Sequence, residues 1–77
     1  MKPGILKKRL KKLREKSGLS MSEVSRKSEK VCGSDHRGSI TQGYISRLES
    51  GRETNPSLAK ILTLCKIYRT TPGKLLA

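Results

Sequence analysis

The chain has 77 residues, 18 of them Lys or Arg against 6 Asp or Glu, for a formal charge of +12. One small domain of this length buries only about 60% of its unfolded surface. With 32% hydrophobic residues and neither Phe nor Trp, the core must be aliphatic, with little room for an enzyme's deep pocket. The charge excess destabilises a compact state by self-repulsion, so it points to a polyanionic partner: nucleic acid or an anionic membrane surface.

The first helix is expected over Pro3 to Lys16. Leu6, Leu10 and Leu13 recur at i, i+4, i+7 on one face. Pro3 suits a first turn and Gly18 a C-terminal cap. Lys7, Lys8, Arg9, Lys11, Lys12, Arg14 and Lys16 fill the other faces. A basic amphipathic helix is also a membrane-surface signature, but leucines alone, without Trp or Phe, favour a globular helix with a solvated face. No stretch approaches the roughly 20 apolar residues that span a bilayer.

A second helix opens at "SMSEV", where Ser20 and Glu23 make a capping box, with Met21 and Val24 as its short apolar face. It fades near Ser28 to Lys30. Residues 31–39, "VCGSDHRGS", read as a loop. The third helix lies in "ITQGYISRLESG", with Thr41 as N-cap and Gly51 as its end. Ile45 and Leu48 face inward; Gln42, Gly43, Ser46 and Arg47 do not. Asn55-Pro56 leads into a fourth helix with Leu58, Ile61, Leu62, Leu64, Cys65 and Tyr68 on a broad apolar face. "TTPGKLLA" gives a last short helix, capped by Thr71. The expected architecture is all-α, five short helices, with a core of Leu6, Leu10, Leu13, Val24, Ile45, Leu48, Leu58, Ile61, Leu64, Cys65 and Tyr68.

Catalysis finds no support, since the chain has one His, one Asp and no nucleophile paired with a base. Cys32 and His36 are four apart, but a zinc site wants four good ligands; no metal and no cofactor is expected. Cys65 reads as a core residue and Cys32 as an exposed loop residue. The N-terminus has no continuous apolar segment of the signal-peptide kind, so the expected setting is the cytoplasm, with reduced thiols.

Two short helices in sequence, the second with a polar outer face, form a helix-turn-helix arrangement. Its second helix lies in the major groove with its N-terminal residues at base edges. Gln pairs bidentately with adenine and Arg with guanine; Gly43 lets the backbone approach, and Ser46 suits base or phosphate. RNA readers usually carry stacking aromatics, and this chain has only Tyr44 and Tyr68.

"LKKLREKSGLSMSEVSRKSEKV" followed by "TQGYISRLESGRETNPSLAKILTLCKIYRTTPGKLL" resembles the Cro/C1-type (XRE-family) helix-turn-helix domain, of the lambda repressor-like fold, over about residues 5 to 76 of a single 1–77 domain. The resemblance implies sequence-specific binding of double-stranded DNA by a transcriptional regulator, expected to be a repressor. It assigns Gln42, Gly43, Ser46 and Arg47 to base edges. Ser50, Arg52 and Asn55 would meet phosphates, as would Ser20 and Met21 at a helix N-terminus. Met21 stands where the family often has Gln, so one side-chain contact is lost. Arg14 and Glu49 match a partly buried ion pair, so Arg14→Ala should destabilise more than Arg9→Ala. The connection at residues 31–40 is longer than usual and in that respect resembles the POU-specific domain; "ISRLESG" and "NPSL" fit the bacterial or phage form better, which would associate with the nucleoid. Family members commonly form two-fold dimers; here a homodimer would use this domain's own surface. Antitoxins and bridging coactivators share the fold, so a protein partner is the rival reading.

Overall fold

The structure, a computed structural model, describes residues 3–76. Met1, Lys2 and Ala77 of the expected 1–77 unit lie outside them. Five helices follow in order: α1 (Pro3–Lys16), α2 (Met21–Val31), α3 (Gln42–Ser50), α4 (Leu58–Tyr68) and α5 (Pro72–Leu76). A short 3-10 turn, His36–Gly38, interrupts the α2–α3 connection, and among the described residues there is no strand. The helix α1 packs on α3 and α5, while α2 packs on α3 and α4.

The helix ends are set by the residues that suit them. Ser20 Oγ accepts from Glu23 N at 3.1 Å, and the Glu23 carboxylate accepts from Ser20 N at 3.0 Å. That closes the capping box and satisfies two open donors of α2. The carboxyl of Glu23 is held below its usual range first by the Ser20 N–H. Thr41 Oγ1 accepts from Tyr44 N at 3.1 Å, and Ser57 Oγ from Lys60 N at 3.3 Å. Gly51 closes α3 in the left-handed region at φ 84, where a Cβ is disfavoured.

The core contains Leu6, Leu10, Val24, Ile40, Ile45, Leu48, Ile61, Leu64, Cys65, Tyr68 and Leu75. Leu58, expected inside, is 68% exposed. It is the first residue of α4 and lies one turn from exposed Leu62, on the side away from the buried Ile61, Leu64, Cys65 and Tyr68 face. Leu13 is only half-buried, packed at the margin of the cluster. Cys32 is half-buried, not exposed, because it caps α2, with its backbone N–H donating to Ser28 O. Both cysteines are free thiols, and burial raises the Cys65 pKa.

The lengthened connection is stitched to α2 by hydroxyls. Ser28, with no exposed surface, accepts from Ile40 N at 2.9 Å and reaches Ser25 O at 2.6 Å. Ser25 Oγ donates to Ile40 O at 2.8 Å. These bonds pull Ile40 into the core just before α3 begins. Ser28→Ala would leave the buried Ile40 N–H without its acceptor, at a cost of about 1.5 kcal/mol. Urea denaturation should show the midpoint falling with unchanged slope; an unmoved midpoint would mean that water serves Ile40 equally well.

Candidate nucleic-acid interface

The helix α3 divides cleanly between its two sides. Ile45 and Leu48 are each 2% exposed, while Gln42, Gly43, Arg47 and Ser50 are exposed and Ser46 half-buried. Position on α3 thus brings the four expected base-reading residues and Ser50 onto one accessible surface. The helix is anchored from α1 by Arg14, whose Nε lies 2.7 Å from Glu49 Oε2 and whose Nη2 lies 3.0 Å from Glu49 Oε1. This two-point match is the strong arrangement for a guanidinium and a carboxylate. The side chains are 15% and 5% exposed. Arg14 Nη1 also donates to Leu19 O at 3.0 Å, so one guanidinium joins α1, the α1–α2 turn and α3. The Glu49 hydrogen bond raises the Arg14 pKa further.

A family model described as a helix-turn-helix domain matches residues 6–77. The chain belongs to this family, in the Cro/C1-type group. No curated protein and no solved structure matches it. Helix-turn-helix domains bind DNA with their second helix in the major groove, and α2 with α3 supplies that unit here. Among the described residues no helix is long and apolar enough to cross a membrane.

Around α3 the helix-turn-helix domain disposes its polar groups unevenly. An open cleft of about 370 Å³ between α1, α2 and α3 is lined by Lys11, Arg14, Met21, Ser46, Glu49 and Ser50. Met21 is half-buried against the core and forms one wall. Ser20 stands beside it, but its hydroxyl and its N–H are both engaged with Glu23. The carboxylate therefore occupies a position at the α2 N-terminus that a phosphate would otherwise approach. Ser50 Oγ donates to Arg47 O at 3.2 Å and accepts from Arg52 Nε at 3.2 Å. Arg52 is thereby drawn against the end of α3. Asn55 is exposed, with its backbone N–H donating to Glu53 Oε1 at 3.0 Å. The loop thus turns back under α3, helped by Glu53 N donating to Arg47 O at 3.0 Å.

Sequence reasoning passed over Lys7 and Lys11 as part of this surface. Lys11 lines the cleft, and the Lys7 chain lies over Gly51, where an added Cβ would meet Lys7 Cδ at 3.0 Å. Their spacing with Arg14 (i, i+4, i+7) was the available signal. Tyr44 and Lys60 were passed over as well. Four of the 6 acids are committed inside the chain: Glu49 to Arg14, Asp35 to Arg37, Glu23 to Ser20 and Glu53 to Asn55. Glu49 and Asp35 each pair with an arginine, while Glu23 and Glu53 accept from backbone N–H groups.

Proposed function

We propose that this protein is a sequence-specific double-stranded DNA-binding regulator of transcription, acting as a repressor, with α3 seated in the major groove. The observation that supports the reading most directly is the exposed surface of α3. Gln42, Gly43, Ser46 and Arg47 share it, on a helix anchored from behind by Ile45, Leu48 and the Arg14–Glu49 pair. Gln42 suits an adenine edge and Arg47 a guanine edge. Ser46 lies between them and the cleft. Ser50, Arg52, Asn55, Lys7 and Lys11 flank the helix and suit phosphates; at the α2 N-terminus, where the Ser20 N–H is engaged with Glu23, Met21 offers a backbone donor and Ser20 its hydroxyl hydrogen. The net charge of +12 supplies the sequence-independent part of the affinity.

Selection of bound duplexes from a random library at near-physiological salt tests this reading. A recovered motif is the expected result, and a palindromic one would add a two-fold dimer. Tight binding without any enriched motif would overturn the base-reading assignment. Within a recovered motif, Gln42→Ala and Arg47→Ala should each cost about 1–3 kcal/mol and relax preference at one base pair. Lys11→Ala should instead weaken all sequences alike and make the salt dependence shallower.

A further inference from the structure

Arg47 does not extend freely from α3. Its guanidinium carbon lies 5.4 Å from the centre of the Tyr44 ring, within the range of a cation–π contact. The side chain runs back toward the start of α3, across Gly43, where an added Cβ would lie 3.7 Å from Arg47 Nη1. Gly43 therefore leaves a track, and Tyr44 supplies a bed, for a guanidinium aimed at the end of the helix that carries Gln42. The same ring holds a second cation, Lys60 Nζ, at 5.3 Å. Lys60 comes from α4, and its ammonium donates to Arg37 O at 3.0 Å.

Arg37 belongs to the lengthened α2–α3 connection, and that connection is well tied down. The Asp35 carboxylate takes Arg37 Nε at 3.0 Å, Arg37 Nη2 at 3.2 Å and Arg37 N at 3.2 Å. Gly38 is buried against Thr63 and Ala59 of α4. Ser25 and Ser28 hold Ile40. A chain of contacts thus runs from the Arg37 carbonyl through Lys60 and Tyr44 to Arg47. Burial raises the Tyr44 pKa, with Glu53 adding to it, so the ring stays neutral at physiological pH.

We propose that the lengthened connection sets how Arg47 reads DNA: Arg37 O fixes Lys60 against Tyr44, and the Tyr44 ring seats the Arg47 guanidinium. This rests on the reading of Arg47 as a base-contacting residue. An arginine with many rotamers loses much entropy when it docks on a base edge. A side chain already seated loses less, and it is kept from straying to a nearby phosphate. Tyr44 and Lys60 are positioning residues, and their removal should act at one base pair only.

The test is duplex selection, followed by titrations against single-base variants of the recovered site at several salt concentrations. It uses the full chain carrying Arg47→Ala, Tyr44→Phe, Tyr44→Leu or Lys60→Met. Arg47→Ala identifies the pair that Arg47 reads. Tyr44→Leu should lose discrimination at that same pair, about tenfold, with the other pairs unchanged. Tyr44→Phe should keep it, because the ring face remains. Lys60→Met should relax the same pair without altering the salt dependence. Retained discrimination in Tyr44→Leu, or uniform weakening with a shallower salt slope in Lys60→Met, would overturn the proposal and mark Lys60 as a phosphate contact. An Arg47→Ala protein with an unchanged motif would remove the base-reading assignment itself, and the proposal with it. If Tyr44→Leu does not fold, as judged by circular dichroism, Lys60→Met decides between the outcomes.

Discussion

Arg14→Ala is expected to lower the stability of the domain by about 3 kcal/mol, far more than Lys8→Ala on the same helix. Glu49 is 5% exposed on its side chain and takes two N–H donors from Arg14. Truncating the arginine leaves a buried carboxylate with neither, and it removes the donor to Leu19 O. For a domain of this size that corresponds to a fall in melting temperature of more than about 12 °C. Arg9, a natural comparison from the sequence, is not a neutral one. Its Nη1 donates to Leu75 O at 3.1 Å and Lys74 O at 3.3 Å, closing the open end of α5. Lys8 is exposed and serves better. Replacing both partners by apolar residues, Arg14→Met with Glu49→Leu, should recover much of the loss, because no uncompensated charge remains. Thermal melting followed by circular dichroism measures all four proteins. Equal midpoints for Arg14→Ala and Lys8→Ala would show that the pair contributes nothing to stability.

The same pair shows what a sequence makes visible. Arg14 and Glu49 are 35 residues apart, and nothing in the local pattern joins them; only the resemblance did. Helix positions were legible because each carries its own local chemistry: leucines at i, i+4, i+7 in α1, the Ser20–Glu23 box, Thr41 and Gly51 bracketing α3. Those signals depend on neighbours within one turn. Leu58 was misplaced for the complementary reason. Periodicity along α4 identifies an apolar face but not how far round the helix its neighbours reach, and the first turn of α4 projects past them. Ile40 lies outside any regular element, so no period marks it; it is buried because two serines of α2 capture its backbone.

The interface divides in the same way. Gln42, Gly43, Ser46 and Arg47 were legible as one helical surface, since their relative placement is fixed once α3 is a helix. The groups around them were not. The Ser20–Glu23 box was legible as a cap, but not that its carboxylate would take the Ser20 N–H at the place where a phosphate would approach. Tyr44 carries no local sign that its ring meets two cations, one from a helix distant in sequence. Lys60 has no mark of its own and takes its role from the Arg37 carbonyl beside it. Contacts of this kind arise only when the long connection folds back onto α4.

That folding back depends on Gly38, and Gly38→Ala is expected to cost about 3 kcal/mol, toward the upper end for an overpacked core position. A Cβ there would overlap the Thr63 hydroxyl and lie 3.0 Å from Cys32 Cβ and 3.3 Å from Ala59 O. Those three neighbours come from the end of α2 and the buried side of α4, so no single shift relieves them. Thr63 is 3% exposed and its Oγ1 donates to Ala59 O at 3.1 Å, which with its β-branch leaves it little freedom to rotate away. The methyl should therefore push the 3-10 turn off α4. Thr63→Ala opens space on the most crowded side, so the double variant Gly38→Ala with Thr63→Ala should be more stable than the sum of the single losses allows. Such a coupling, measured as a double-mutant cycle in urea, is the signature of direct contact. Strict additivity would place the strain elsewhere in the connection. Displacing the turn also carries Arg37 O away from Lys60. Gly38→Ala, assayed at a temperature where it is still folded, should therefore relax the base pair that Arg47 reads and spare the one that Gln42 reads. A stability loss with both preferences intact would confine Gly38 to packing and separate the connection from the reading of DNA.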